Sequence, residues 1–392
     1  MDYSRFLNDI AVDIKPSGIR KYFDVLSEMP NAISLGVGEP DFDTPYNVSQ
    51  AGIRSINEGR THYTSNAGLV KLREAIAAYM QVRFGLAYTV DEIMVTVGAS
   101  EGIDLAMRAM LNAGDEVLVP EPSFVAYSPL VRLCGGVPVA VNCLERDQFK
   151  LTAESLEAAA CARTKALVLP YPNNPTGAIM TREELQAVAD FAIRHDIVVI
   201  SDEIYAELTY GGTHVSIASL PDMWPRTIVL NGFSKSFAMT GWRLGYLCAP
   251  KPLRDTMLKI HQFALMCAPT AAQYAGLEAL RTGLEDDFAS VTAMLRQYDM
   301  RRKYLVAGLN EMGLTCFEPK GAFYAFPNVR ATGMDGEAFV EALLREESLA
   351  VIPGAAFGAC GRDHVRISYA YSMEQIAEAL RRLRRFVARH IG

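Results

Sequence analysis

Cysteine is sparse and unpaired in this chain: 7 residues among 392. Cys134, Cys143, Cys161, Cys248, Cys267, Cys316 and Cys360 are scattered, with no CxxC pair. An odd, dispersed set in a chain this long argues against a disulfide framework and offers no zinc-ligand spacing, so reduced buried thiols and no metal are expected. Long apolar runs are missing too. None approaches the length of a membrane span. The opening MDYSRFLNDIAVDIK mixes acidic, basic and apolar residues without the layout of a signal peptide. Concentrated positive charge is also lacking: 38 Lys and Arg are interspersed with 45 Asp and Glu, for a net charge of −7. That balance argues against a nucleic-acid or anionic-membrane partner and leaves room for local sites that hold small anions. The expectation is a cytoplasmic protein that handles small molecules.

What is present is an ordinary globular composition, 50% hydrophobic and 21% charged, in a chain long enough for two domains. Between residues 92 and 250, short β-rich runs alternate with helical patterns. EIMVTVG (92–98), EVLVP (116–120), KALVLPYP (165–172), IVVISDE (197–203), TIVLNG (227–232) and LGYLCAP (244–250) read as strands. SEGIDLAMRAMLNAG and TREELQAVADFAIRHD read as helices between them. That interleaving predicts an α/β fold with a mostly parallel sheet covered by helices on both faces. After about residue 284 the pattern changes to long charged helices with short strands between them. We expect a large domain over 46–284, with 1–45 and 285–392 supplying a loop-rich N-terminal segment and a smaller α+β domain. The arginine-rich last helix is expected to turn its basic face to water.

In open α/β sheets, ligands bind beyond the carboxyl ends of the strands. Four strand ends deliver chemistry: Gly98-Ala99-Ser100, Asn173-Asn174-Pro175-Thr176-Gly177, Asp202-Glu203-Ile204-Tyr205, and Ser234-Lys235. Each has an ordinary structural reading. The first can be a helix cap, the second a turn, Asp202 a paired carboxylate, and Lys235 a lysine whose head reaches water. Together they suit one ligand. A lysine in a partly desolvated pocket is a nucleophilic amine, a half-buried aspartate matches a protonated ring nitrogen, and a helix start with Ser234 and Arg243 matches a phosphate. A carbonyl, a pyridinium and a phosphate in one molecule describe pyridoxal 5′-phosphate.

The stretch SKSFAMTGWRLGY resembles the lysine motif of the class I/II aminotransferases, the fold-type I pyridoxal-phosphate enzymes. So do SLGVGEPDFDTP, HYTSNAGLVKLREAI, YPNNPTG, SDEIYAEL, GAFYAFP and VRISYA, in the family's order from residue 34 to residue 370. The resemblance implies a large sheet domain with a smaller α+β domain, and a role for each matching residue. Lys235 matches the Schiff-base lysine that also moves the substrate's α-proton. Asp202 matches the partner of the ring nitrogen. Tyr205 and Asn174 match the partners of the ring oxygen. Gly98, Ala99, Ser100, Ser234 and Arg243 match the phosphate cradle, and Phe124 the ring stacked on the cofactor. Arg366 matches the clamp for the substrate α-carboxylate, where a planar fork suits better than an ammonium. Gly36 lies against the same carboxylate, and Asn174 belongs to the substrate side as well. Tyr63 matches a tyrosine that reaches the phosphate of a neighbouring subunit, which implies a homodimer with active sites at the interface.

The implied reaction passes the amino group of an L-amino acid to a 2-oxo acid such as 2-oxoglutarate. The apolar stretch HQFALMCAPTAAQYAG (261–276) lies where the family shapes its side-chain pocket, so aromatic or other apolar donors are favoured, with aspartate or alanine as alternatives. A C–S β-lyase of the same fold would share Lys235, Asp202 and Arg366. A non-catalytic regulator sensing the cofactor would carry a basic DNA-binding module ahead of the fold, and this sequence starts the fold almost at once.

Overall fold

The computed structural model describes residues 1, 3–16 and 32–391. Part of the expected N-terminal segment, residues 17–31, therefore lies outside the described residues. β1 (Ile33–Ser34) follows directly. β2 (Ile93–Thr96), β3 (Glu116–Glu121), β4 (Val137–Asn142), β5 (Thr164–Leu169), β6 (Val198–Asp202), β7 (Thr227–Gly232) and β8 (Gly245–Cys248) form a 7-stranded sheet in the order β2-β8-β7-β6-β5-β3-β4. Within it β8 runs antiparallel to both neighbours, and the remaining pairs are parallel. The α/β expectation holds. β2, β7 and β8 are buried along their whole length, as β-branched and apolar runs sandwiched by helices must be.

β4 was not anticipated. Its VPVAVN run contains Pro138, which argues against a strand in a sheet interior. β4 lies at the sheet edge and is largely open to solvent, where a missing N–H costs little. The helix TREELQAVADFAIRHD runs over Arg182–Arg194, started by a reciprocal pair in which Thr181 and Glu184 cap each other's backbone N–H. The long charged helix expected after about residue 284 starts only at Ala289. One helix, Thr270–Asp286, ends where Asp287 and Phe288 adopt positive φ, and a second runs over Ala289–Glu311.

Beyond it, β9 (Tyr324–Ala325), β10 (Leu349–Ala350), β11 (Ile352–Pro353) and β12 (Val365–Ser368) are short. β11, β12 and β9 form an antiparallel sheet, and β1 pairs in parallel with β10, so the N-terminal loop returns to the C-terminal part. The last helix, Met373–His390, is amphipathic as expected. Its arginines are not simply solvated: Arg385 and Arg389 reach Glu347 at 2.6 and 2.7 Å. All seven cysteines are free. Among the described residues no helix is long and apolar enough to cross a membrane, and no cluster could hold a metal ion.

Candidate active site

The carboxyl ends of β5, β6 and β7 and the start of the helix Gly98–Met110 open on one cavity of about 350 Å³. Ala99, Ser100, Phe124, Asn174, Asp202, Tyr205, Ser234, Lys235, Arg243 and Arg366 all line it. Residues far apart in sequence thus meet as the strand-end reasoning required.

Asp202 ends β6 and is buried. The Tyr127 hydroxyl donates to its Oδ2 at 2.7 Å and the Ile204 N–H to its Oδ1 at 3.3 Å. Burial raises the carboxyl's pKa, and the Tyr127 hydrogen bond pulls it back without cancelling the rise. No cation lies within ion-pair distance of Asp202 among the described residues.

Lys235 follows β7 in a short turn, half-buried, with Nζ donating to the Gly38 carbonyl at 2.6 Å. The rings of Tyr205 and Phe323 stand 5.8 and 5.7 Å from the ammonium. Burial lowers its pKa to about 8, Arg366 and Arg243 push the same way, and Glu39 and Asp202 oppose them. Competitive acetylation of the ligand-free protein, read by peptide mass spectrometry, should therefore place half-deprotonation of Lys235 near pH 8. The unfolded chain holds this proton up to about pH 10.4. Between those values it binds more protons than the fold, so this group makes the ligand-free protein more stable as pH rises through that window. A midpoint at the ordinary lysine value would show that the pocket does not desolvate the amine.

Arg366, on β12, is buried and has no carboxylate partner among the described residues. Its Nη1 donates to Asn174 Oδ1 at 2.9 Å and its Nη2 to the Gly36 carbonyl at 2.6 Å, while Nε has no partner. The rings of Tyr324 and Phe357 flank the guanidinium at 4.6 and 4.8 Å. A buried cation held by neutral acceptors alone is costly and suits an incoming anion. Gly36 thus meets the guanidinium through its backbone.

Arg243 stands at the start of the helix Gly98–Met110. Its Nη1 donates to the Thr240 carbonyl at 2.9 Å. A Cβ on Gly98, whose φ is +73°, would lie 2.8 Å from Arg243 Nη2. Glycine is needed there for both its conformation and its lack of bulk. The first N–H groups of that helix have no intrahelical acceptor, and with Arg243 and the buried Ser234 they form a concave, positive corner. Phe124 packs edge-on against Tyr127, with ring centroids 5.7 Å apart.

Tyr63, expected to serve a neighbouring subunit, is 77% exposed and does not line the cavity of its own chain. One expectation is not met. The stretch 261–276 does not line the cavity: Phe263 is 88% exposed, and His261 is turned inward to Glu101 at 2.6 Å. Its apolar character is divided between an exposed segment, with Phe263, Leu265 and Met266, and a core cluster that takes Ala268, Ala272 and Ala275. Sequence reasoning also missed Tyr127, Tyr324, Gly38, Glu39 and Thr240, all set at or against the cavity. Asp202 was recognised as needing a partner, but Tyr127 is 75 residues away and nothing local points to it.

A family model described as aminotransferase class I and II matches residues 30–383. The chain is 54% identical to the putative aminotransferase YugH of Bacillus subtilis (strain 168), over 97% of this chain and 98% of the relative. It is 45% identical to an aspartate aminotransferase of Pyrococcus abyssi, over 94% and 95% of the two chains. The crystal structure of an aromatic aminotransferase from Pyrococcus horikoshii OT3 superposes with a TM-score of 0.89 at 44% identity, covering 94% of this chain and 99% of that one.

Proposed function

This chain belongs to the class I and II aminotransferases, enzymes that use pyridoxal phosphate, and from that premise we propose that it transfers the amino group of an aromatic or other apolar L-amino acid to a 2-oxo acid such as 2-oxoglutarate. The buried Arg366 guanidinium, short of one anion, carries this reading.

The residues present fit the cofactor. A positive corner of Gly98, Ala99, Ser100, Ser234 and Arg243 would hold its phosphate, Asp202 its ring nitrogen, Tyr205 and Asn174 its ring oxygen, and Phe124 one face of its ring. When bound, pyridoxal phosphate supplies the electron sink that lets an α-proton leave an amino acid and its nitrogen change carrier. The chain's own share is position and protons. Arg366 grips the α-carboxylate with a planar fork. With the phosphate corner as a second fixed point, the α-carbon is held in one orientation. Lys235, whose amine is neutral above about pH 8, takes the α-proton at Nζ and returns it. Asp202 stays ionised opposite a cationic ring, which offsets the cost of its burial.

Among the described residues, Lys235, Arg243 and Arg366 are the only cations lining the cavity, and Glu39 lines it with them. A second carboxylate on the donor would meet Glu39 with no cation of this chain to balance it, which supports an apolar side chain. We further propose a homodimer. The loop bearing Tyr63 is tied to the 261–276 stretch by Asn66 to the Met266 carbonyl and Thr270 to the His62 carbonyl, each 2.9 Å. Exposed Tyr63, Phe263, Leu265 and Met266 thus fall near one another, where a second copy would bring Tyr63 to its neighbour's phosphate. Seven free thiols suit a reducing cytoplasm.

The test follows the absorbance of the bound cofactor as single amino acids are added without an acceptor. Aromatic donors should convert it stoichiometrically, and adding 2-oxoglutarate should restore it. Conversion by aspartate or alanine alone would overturn the donor preference. Pyruvate released from cysteine-type substrates with the absorbance unchanged would replace transfer by C–S cleavage.

A further inference from the structure

Tyr324 has no part in the roles above. It lies on β9, beside the strand that carries Arg366, with 1% of its surface exposed. Three of its contacts converge on the site. Its hydroxyl is 2.9 Å from that of Tyr205. Its ring lies under the Arg366 guanidinium. A Cβ on Gly38 would come within 2.3 Å of its hydroxyl oxygen, so only a glycine lets that backbone rest against it.

A phenol has one proton to give. If Tyr205 donates into the cavity, as the proposed function requires, it cannot also donate to Tyr324. In the pair of hydroxyls Tyr324 must then be the donor. A chain of two such bonds polarises itself, and the second donor becomes stronger because the first exists. We propose that Tyr324 is a positioning residue that donates to Tyr205 and so strengthens the hydrogen bond Tyr205 gives to the ring oxygen of the cofactor. This rests on the reading of Tyr205 given above.

The experiment titrates the absorbance of the bound cofactor against pH in the resting holoenzyme, for the wild type, Tyr324→Phe, Tyr205→Phe and the double variant. Weaker donation leaves the ionised ring oxygen less stabilised, so the midpoint should rise. Losing a hydrogen bond to a charged acceptor predicts a rise of about 1–2 pH units for Tyr205→Phe. Losing only its reinforcement predicts roughly 0.3 unit for Tyr324→Phe. In the Tyr205→Phe background the second change should add nothing. The donor KM of Tyr324→Phe should stay within about twofold of wild type, because the ring under Arg366 remains. Tyr324→Leu should move the midpoint as the Phe variant does and also raise KM. A Tyr324→Phe midpoint equal to wild type, with Tyr205→Phe shifted, overturns the proposal. So does an equal Tyr324→Phe shift in both backgrounds, since the effect would not pass through Tyr205. A midpoint indifferent to Tyr205→Phe overturns the underlying reading instead.

Discussion

Replacing Lys235 by alanine should slow amino-group transfer on the order of 10⁴-fold, the upper range for loss of a positioned acid–base group, while the fold persists. Among the described residues Lys235 is the one amine at the cavity, and its Nζ donates to the Gly38 carbonyl. Single-turnover absorbance of the loaded enzyme, with an aromatic donor in excess, measures the loss. Borohydride treatment followed by peptide mapping gives a second reading: in the wild type the cofactor's mass should be fixed on Lys235, and in the variant on no lysine. The variant should be no less stable in the cofactor-free state at pH 7, because a lysine whose pKa burial lowers to about 8 is a cost the fold carries below that pH. A variant that keeps rates within tenfold of wild type, or that unfolds, would take Lys235 out of the reaction and make it a structural residue.

The parts of this site that could be read from the sequence are those at the ends of buried strands. IVVIS delivers Asp202 and TIVLNGF delivers Ser234 and Lys235, because an apolar β-branched run must stop where the sheet meets solvent or ligand. Their convergence followed from a parallel sheet alone. The partners of those residues were hidden for a physical reason. Tyr127 reaches Asp202 across 75 residues, and Tyr324 reaches Tyr205 across 119. Such contacts depend on how helices and the C-terminal strands pack, which no local periodicity encodes. Composition misled once. HQFALMCAPTAAQYAG is apolar enough for a pocket wall, yet Phe263 points outward and His261 inward. Apolarity reports that a residue suits burial, not against what: Ala268, Ala272 and Ala275 of this stretch pack into a core cluster away from the cavity. Pro138 hid β4 because the proline rule depends on strand position, and edge position is a property of the finished sheet.

Arg366→Lys should cost roughly 10²–10⁴ in kcat/KM for the preferred amino donor, although the charge is kept. A lysine head could not hold Asn174 Oδ1 and the Gly36 carbonyl while presenting two parallel donors to a carboxylate. Each charge-assisted hydrogen bond lost is worth about 1.5–3 kcal/mol, and two give that range. The α-carboxylate is gripped in the ground state and throughout the reaction, so most of the loss belongs in KM. A smaller part, about tenfold, should fall on kcat, because a looser carboxylate lets the α-carbon turn away from Lys235. A primary amine without a carboxylate serves as control. It has nothing for Arg366 to hold, so its slow conversion should be the same in both proteins. Equal losses for amine and amino acid would mean that Arg366 supports the architecture through its stack between Tyr324 and Phe357 and does not bind substrate. The cation also acts at a distance on Lys235, whose ammonium it destabilises. Arg366→Ala should therefore move the Lys235 acetylation midpoint upward from about 8, whereas Arg366→Lys, which keeps the charge, should leave it nearly in place. A midpoint that rises in the alanine variant and holds in the lysine variant, beside a KM that rises in both, would assign Arg366 two separable duties: charge to tune the amine and shape to grip the carboxylate.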